Sequence, residues 1–429
     1  MPPIAGAAPP LTAPSPPFAA IIPPLTDRSF PAAPPETSFA PMSNVLFLGL
    51  PSHGHINPTL GLVSELVRRG ERVVYFASPA FKNDLERAGA EVRFYGADLD
   101  LFTQKGKILD FLSEADHLIG DMLEQIEDET FEYIVHSAAF PFAGAVQQIL
   151  QVPNISSLAV FAGLNAFLEK PLDDLTREAY ANLKRHLNKK YAVTLPDNPY
   201  ALLFNTGVVN LVYTSKYFAA PLTDFDDTFK FVGPPVYDRG DHTGFPFERL
   251  QGKKVLYISL GTVFSQHNPG LYDVFTDAFA GWDGIVVMAA YNVGNVKAPD
   301  NFIVRPYVPQ NQVLQRATAA ITHAGMNSLN DLIHYEVPFV SLPMGADQPL
   351  LAKRAAELGA TIVLDARTVT AEALKTATQR VVTDPDIKES LARIHGSFEE
   401  AGGYPWAVAE IFAAVKERAP QPRRPQQVQ

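Results

Sequence analysis

From Val45 onward, apolar and polar positions fall into a repeating strand, loop and helix order. VLFLGL is an apolar run of strand length, and PTLGLVSELVRRG then carries apolar residues at helical spacing before stopping at Gly70. ERVVYFAS predicts the next strand, FKNDLERAGA a helix ending at Gly89, and EVRFYG a third strand. A helix over 108–126, strand YIVHS, a helix over 144–150 and strand NISSLA continue the series. The segment from Phe167 to Asn210 reads mostly helical and polar, broken by Pro196 and Pro199.

A second series begins at Lys253. KKVLYISLG predicts a strand, 272–280 a helix, and GIVVMAA a strand; NFIVRPYV, the short helix NQVLQRA and strand AAITHAG follow. A helix over 326–334, strand PFVSLP, a helix over 350–358 and strand TIVLD complete it. Such alternation implies parallel sheets covered on both faces. The stretch VGPPVYDRGDHTGFPFERLQG, rich in Pro, Gly and Asp, separates the two series. The predicted fold is α/β, with two Rossmann-like doubly wound domains, 42–235 and 253–402, joined by a linker over 236–252. Ligands belong in the cleft at the carboxyl ends of the strands.

Both ends fall outside this pattern. Residues 1–41 hold about a third of the 37 prolines and almost no charge, which predicts an extended or disordered tail. A signal peptide would need a basic start and an unbroken apolar run, and neither is present. GGYPWAVAEIFAAVKERA predicts a final helix over 403–418, and 419–429 a mobile tail.

Composition narrows the function. The formal charge of −11 opposes general nucleic-acid binding, since phosphate repulsion would go unanswered. No apolar run approaches the length needed to span a bilayer. Without cysteine there are no disulfides, thiolate metal sites or cysteine nucleophiles, which suits a cytoplasmic enzyme.

Two loci carry candidate chemistry. Strand AAIT runs into His323-Ala-Gly325-Met-Asn327-Ser328 at the start of a helix. Gly325 allows close backbone approach, and the free N–H groups there make an anion site suited to a diphosphate. The plain alternative is an ordinary helix start with Asn327 or Ser328 as cap. In the first half, PSHGHINP places His53 and His55 in a strand-to-helix loop beside the cleft, with Pro58 near the first turn of the helix. Histidine is the natural base for taking a proton from an acceptor hydroxyl. Gly49 and Gly54 do not form a dinucleotide fingerprint. Two Asp-x-Asp triplets, Asp98 to Asp100 and Asp224 to Asp226, fit a metal motif formally but read as solvated loop or helix-start carboxylates.

Residues 305–360, from RPYVPQNQ through HAGMNS to GADQPLLAKRAAELGA, resemble the signature of UDP-glycosyltransferases. The similarity extends over nearly the whole chain from Met42 and points to the bacterial macrolide-type branch, whose fold is GT-B. The resemblance implies that His323 and the turn Gly325, Asn327 and Ser328 grip the diphosphate. Tyr307, beside Val308 in YVPQ, takes the uracil-stacking place, and Gln310 a uracil contact. Asp331 takes the ribose carboxylate position, where Glu is commoner, and Asp347 and Gln348 face the sugar hydroxyls. Thr262 in SLGT approaches the phosphate from the other side. The donor implied is a UDP-sugar, most simply UDP-glucose; no cofactor or metal is implied. The last helix is expected to cross back onto the first domain.

The same resemblance makes His55 the catalytic base, which in the family leans on an Asp at the end of a later strand. Here that position is Ser137, which can orient an imidazole but cannot stabilise its cation by charge. Three accounts stay open: Ser137 suffices for acidic acceptors such as phenols, another carboxylate such as Asp116 or Asp121 reaches in, or transfer is lost. A lipophilic ring-bearing acceptor is expected against Phe140, Phe142, Phe161 and Asn165, with His53; core packing is the alternative for these side chains. The predicted activity is inverting transfer from a UDP-sugar to a hydroxyl of a phenol, flavonoid or macrolide. A catalytically impaired nucleotide-sugar binder and a GT-B-fold nucleotide-sugar epimerase are the rival readings.

Overall fold

The computed structural model describes residues 43–96, 108–160, 168–169, 171–219, 225–238, 244–261, 270–290 and 298–418. The two tails, the Asp98 to Asp100 triplet, Asp224, Phe161, Asn165 and Thr262 lie outside these residues.

Two all-parallel sheets carry the fold. The first has seven strands in the order β3-β2-β1-β4-β5-β6-β7. They are β1 Asn44–Leu48, β2 Arg72–Ala77, β3 Glu91–Phe94, β4 Tyr133–Ser137, β5 Asn154–Leu158, β6 Val209–Val212 and β7 Phe229–Phe231. The second has six in the order β10-β9-β8-β11-β12-β13. These are β8 Val255–Ser259, β9 Ile285–Ala289, β10 Phe302–Arg305, β11 Ala319–Thr322, β12 Phe339–Ser341 and β13 Thr361–Val363. The sequence pattern missed β6 and β7. Val209 and Asn210 were assigned to the end of a polar helical stretch, and FKF is too short to show a period.

The central strands of the first sheet are buried on both faces. Along β1, Val45 and Phe47 enter one buried cluster while Leu46 and Leu48 enter the other. This explains why the strand reads as continuous apolar sequence rather than alternation. In each sheet the chain reverses its order beside the first strand, at β1/β4 and at β8/β11. Those reversals open crevices at the strands' carboxyl ends, where ligands bind in such sheets.

The two halves are stitched together by contacts running in both directions. Ala407, Val408 and Ile411 of the final helix, Gly403–Arg418, lie in a core cluster of the first half. Tyr404 of that helix donates its hydroxyl to the Pro58 carbonyl at 2.9 Å. Its ring fills the place a Cβ on Gly61 would need, 2.1 Å away. In the other direction, Phe218 and Ala219 join the core of the second half, and Asn330 Nδ2 donates to the Tyr213 carbonyl at 2.6 Å. No helix among the described residues is long and apolar enough to cross a membrane.

Candidate functional site

A cleft of about 410 Å³ lies between the two reversal points, lined by both halves. On the first side the helix starts earlier than the sequence suggests. It runs His53–Arg68, so both histidines sit in its first turn rather than in a loop. The cause is Ser52, whose extended backbone carbonyl accepts the N–H groups of His55 (3.0 Å) and Ile56 (2.9 Å). Ser52 makes no side-chain cap and the first turn holds no acid, so this helix's positive end faces the cleft unanswered. Pro58 lies inside the helix, and its missing N–H deprives the Gly54 carbonyl of a helical partner. Asn327 of the second half fills that vacancy, its Nδ2 donating to the Gly54 carbonyl at 3.0 Å across the cleft.

His55 Nδ1 lies 3.0 Å from Ser137 Oγ at the end of β4. Ser137 Oγ also accepts the Ala139 N–H at 3.3 Å. His136 holds Ser137 from behind, with Nδ1 3.0 Å from the Ser137 carbonyl. No carboxylate joins the pair among the described residues. Asp116 binds Lys190 (2.7 Å) and His186 (3.1 Å), and Asp121 accepts from Gly96 N (2.7 Å) and Gln125 (3.0 Å). The expectation that either could reach in is therefore corrected: both are committed to contacts elsewhere. Burial without a countercharge pushes the His55 imidazole down to about 4. It stays neutral at physiological pH, and charging it costs roughly 3 kcal/mol relative to water.

His53 points elsewhere. Its ring packs edge-on against Phe81 (5.0 Å) and faces Tyr307 of the second half at 6.5 Å. Phe140 and Phe142 are corrected outright as cleft residues. Both are fully buried in the first half's core, Phe140 stacked on Tyr95 at 5.5 Å, so core packing is what those aromatics do.

On the second side the backbone builds most of the site. β11 ends at Thr322, and His323 follows with Gly261 and Gly325 on either side. A Cβ on Gly325 would meet His323 Nε2 at 2.5 Å, and one on Gly261 at 2.7 Å. Both positions need glycine for the ring to sit between them. Ala324 adopts φ +63° and Ala346 φ +53°, left-handed backbone that alanine tolerates at some cost and that clusters at functional sites. The His323 Nδ1 is buried without a hydrogen-bond partner, and burial pushes the imidazole down to about 4.

The helix Met326–His334 begins at Gly325 with no side-chain cap and no acid in its first turn. Asn327 and Ser328 are thus inside the first turn and are not caps. The free N–H groups of such a helix start are suited to an anion. The Asn327 side-chain nitrogen is given to Gly54, which leaves its backbone N–H facing this turn.

Around this turn stand the remaining candidates. Tyr307 leaves 46% of its surface exposed at the cleft, while Val308 is buried beside it. Gln310 is clasped at both ends: Tyr257 OH donates to its Oε1 (2.9 Å), and its Nε2 donates to Asp331 Oδ2 (2.5 Å). That makes it a brace for the carboxylate, a role that Tyr257, 53 residues away in sequence, did not reveal. Asp347 is held at the start of the helix Gln348–Glu357, and burial pushes its carboxyl up to about 6. Gln348 is buried, its Oε1 accepting the N–H groups of Met344 (2.9 Å) and Gly345 (3.2 Å). Asp226, of the second acidic triplet, accepts from Thr228 N at 2.9 Å and is a turn former.

Known proteins resemble this chain in sequence and in fold. The family profile described as UDP-glucoronosyl and UDP-glucosyl transferase matches residues 249–398. An uncharacterised UDP-glucosyltransferase of Bacillus subtilis, YdhE, is 35% identical over 381 residues, which cover 84% of this chain and 95% of that protein. The demethyllactenocin mycarosyltransferase of Streptomyces fradiae is 28% identical over 424 residues, covering 90% of this chain and 89% of its own. Among solved structures, the calicheamicin glycosyltransferase CalG4 superposes with a TM-score of 0.72 at 27% identity, covering 89% of this chain and 100% of that one.

Proposed function

The chain belongs to the UDP-glycosyltransferase family, as a glycosyltransferase of GT-B fold in its macrolide-type branch, and on that premise we propose inverting transfer of glucose from UDP-glucose to an acidic hydroxyl of a lipophilic, ring-bearing small molecule. One observation carries the reading. His55 and the uncapped start of the helix Met326–His334 face the same cleft.

In this reading the uracil lies on Tyr307 and the ribose hydroxyls bind Asp331, steadied by Gln310. The diphosphate rests on the N–H groups after Gly325, beside His323. Asp347 accepts from the sugar hydroxyls, and the Nε2 of Gln348 remains to donate to them. His55 Nε2 takes the acceptor's proton, and the freed oxygen attacks the anomeric carbon. The anomeric C–O bond breaks with its electron pair going to the β-phosphate, and UDP leaves. The developing charge is met by the helix terminus and His323, so the reading assigns the transfer no cofactor. One base with no second nucleophile on the acceptor side fits inversion.

Ser137 shapes the choice of acceptor. A carboxylate at this position would only accept from Nδ1–H, leaving the Nε2 lone pair facing the acceptor. A hydroxyl can accept or donate, and when it donates to Nδ1 the proton sits on Nε2 and the base is lost. With no carboxylate at hand to stabilise the cation, acidic hydroxyls such as phenols are favoured.

Incubation with UDP-glucose and a panel of phenols, flavonoids and macrolides, followed by mass spectrometry, tests the proposal. A glucosylated product is expected. The Ser137 contact also favours a second reading, a nucleotide-sugar binder without turnover. UDP binding with no product from any donor and acceptor pair would establish that reading and overturn transfer.

A further inference from the structure

We propose that His334, His395 and Glu399 form a binding site for a divalent transition-metal ion, with Zn²⁺ the best chemical match, at the end of the helix Met326–His334 remote from the cleft. His334 closes that helix. His395 and Glu399 stand one turn apart on the helix Pro385–Glu399, so both project from one face. One ligand atom from each residue lies within 4.8 Å of the others, and His395 Nε2 is 3.9 Å from Glu399 Oε1.

The His334 ring meets Tyr335 edge-on at 4.8 Å, and the two imidazoles adjoin each other. Their ring centroids are 5.8 Å apart at 45°, neither stacked nor edge-on. The Nδ1 atoms of both are buried without a hydrogen-bond partner. Buried polar atoms are normally paired, and two adjacent exceptions call for a reason. An ion bound through Nδ1 would supply one, taking a lone pair that no protein donor meets while Nε2 keeps the proton.

The donor set selects the metal. Two imidazoles and one carboxylate suit Zn²⁺, with water in the fourth position; Ca²⁺ and Mg²⁺ prefer all-oxygen shells. A tetrahedral ion draws its ligands to about 3.4 Å from one another. Glu399 is exposed and can swing to close the remaining gap. The site lies about 12 Å along the helix from the diphosphate turn, given 1.5 Å per residue. Its role is therefore to pin two helices of the second half together rather than to touch the donor.

The test uses the full chain, stripped with a chelator and titrated with Zn²⁺ by calorimetry, with Co²⁺ as spectroscopic probe. One equivalent per chain is expected, with a higher melting temperature and a tetrahedral Co²⁺ spectrum. His395→Gln and Glu399→Gln should each weaken binding by about tenfold or more, while His117→Gln, on the first half, should not. Glu399→Gln alters an exposed side chain, so it decides the matter even if a histidine variant folds poorly. Absence of uptake, or uptake unchanged in Glu399→Gln and His395→Gln, would overturn the site and reduce the trio to an ordinary helix contact. Neither result bears on whether the cleft transfers sugar.

Discussion

The two halves of the cleft are built in different ways. The second half holds its site largely with backbone: glycines on both sides of His323, alanines in left-handed conformation and a helix start with no cap. The first half relies on two side chains, His55 and Ser137, 82 residues apart and joined by one hydrogen bond. A site made of backbone is rigid and, its glycines apart, indifferent to small side-chain changes. A site made of two side chains can be retuned by one substitution. On the proposed reading, a change at Ser137 would leave donor recognition intact while altering the reactivity demanded of the acceptor.

The largest expected effect comes from removing the base. His55→Ala should lower turnover by about 10² to 10⁴, the usual worth of a general base, with UDP affinity unchanged by calorimetry. Equal losses in turnover and UDP affinity would place His55 on the donor side instead.

Next comes the backbone half. Gly325→Ala puts a Cβ 2.5 Å from His323 Nε2 and displaces the ring from the diphosphate turn. UDP affinity should fall by about tenfold or more, the scale of hydrogen bonds to a charged group. An unchanged Kd would show that the glycine cradle does not serve the diphosphate.

Asp347 predicts a pH dependence. Its carboxyl is raised to about 6 by burial, so acid converts it to the neutral form as pH falls through that value. Affinity for the intact UDP-sugar should then drop several-fold relative to UDP alone, and Asp347→Asn should abolish the difference. The stability sign is opposite. A carboxyl raised in the folded state stabilises the unliganded protein at low pH, and that contribution is lost as pH rises through about 6. Loss of sugar affinity on acidification therefore cannot be ascribed to unfolding through this group.

The smallest effect concerns the bridge between the halves. Asn327→Ala removes the donor that meets the Gly54 carbonyl freed by Pro58. A cost of about 1 kcal/mol is expected, seen as a few-fold rise in the acceptor KM with donor affinity nearly unchanged. If the donor affinity fell most, the Asn327 side chain would belong to the diphosphate site after all.

The difference between the halves also governs what could be read from sequence. Backbone sites leave contiguous signatures, so HAGMNS marked the uncapped helix start that opens on the cleft. Strands buried on both faces gave strong apolar runs, whereas β6 and β7 were lost beside a polar helix. Long-range pairings left no trace: nothing local tells that Gln310 braces Asp331 against Tyr257, or that Pro58 releases a carbonyl for Asn327. Phe140 and Phe142 misled because apolar aromatics near a strand end serve a core as readily as a pocket. Asp116 and Asp121 were placed by helix position alone, and their partners Lys190 and Gly96 came from other elements.

The most direct test of the account is the rate of glucosyl transfer by the native protein and by Ser137→Asp across acceptors of graded acidity, from nitrophenols through phenol to an aliphatic alcohol. The account predicts a steep dependence on acceptor acidity for the native protein. In Ser137→Asp the slope should flatten, with the greatest gain for the least acidic hydroxyl, because the carboxylate fixes the productive tautomer and stabilises the imidazolium. Identical slopes in the two proteins, with UDP binding intact, would contradict the claim that the His55–Ser137 pair sets the chemistry of the first half.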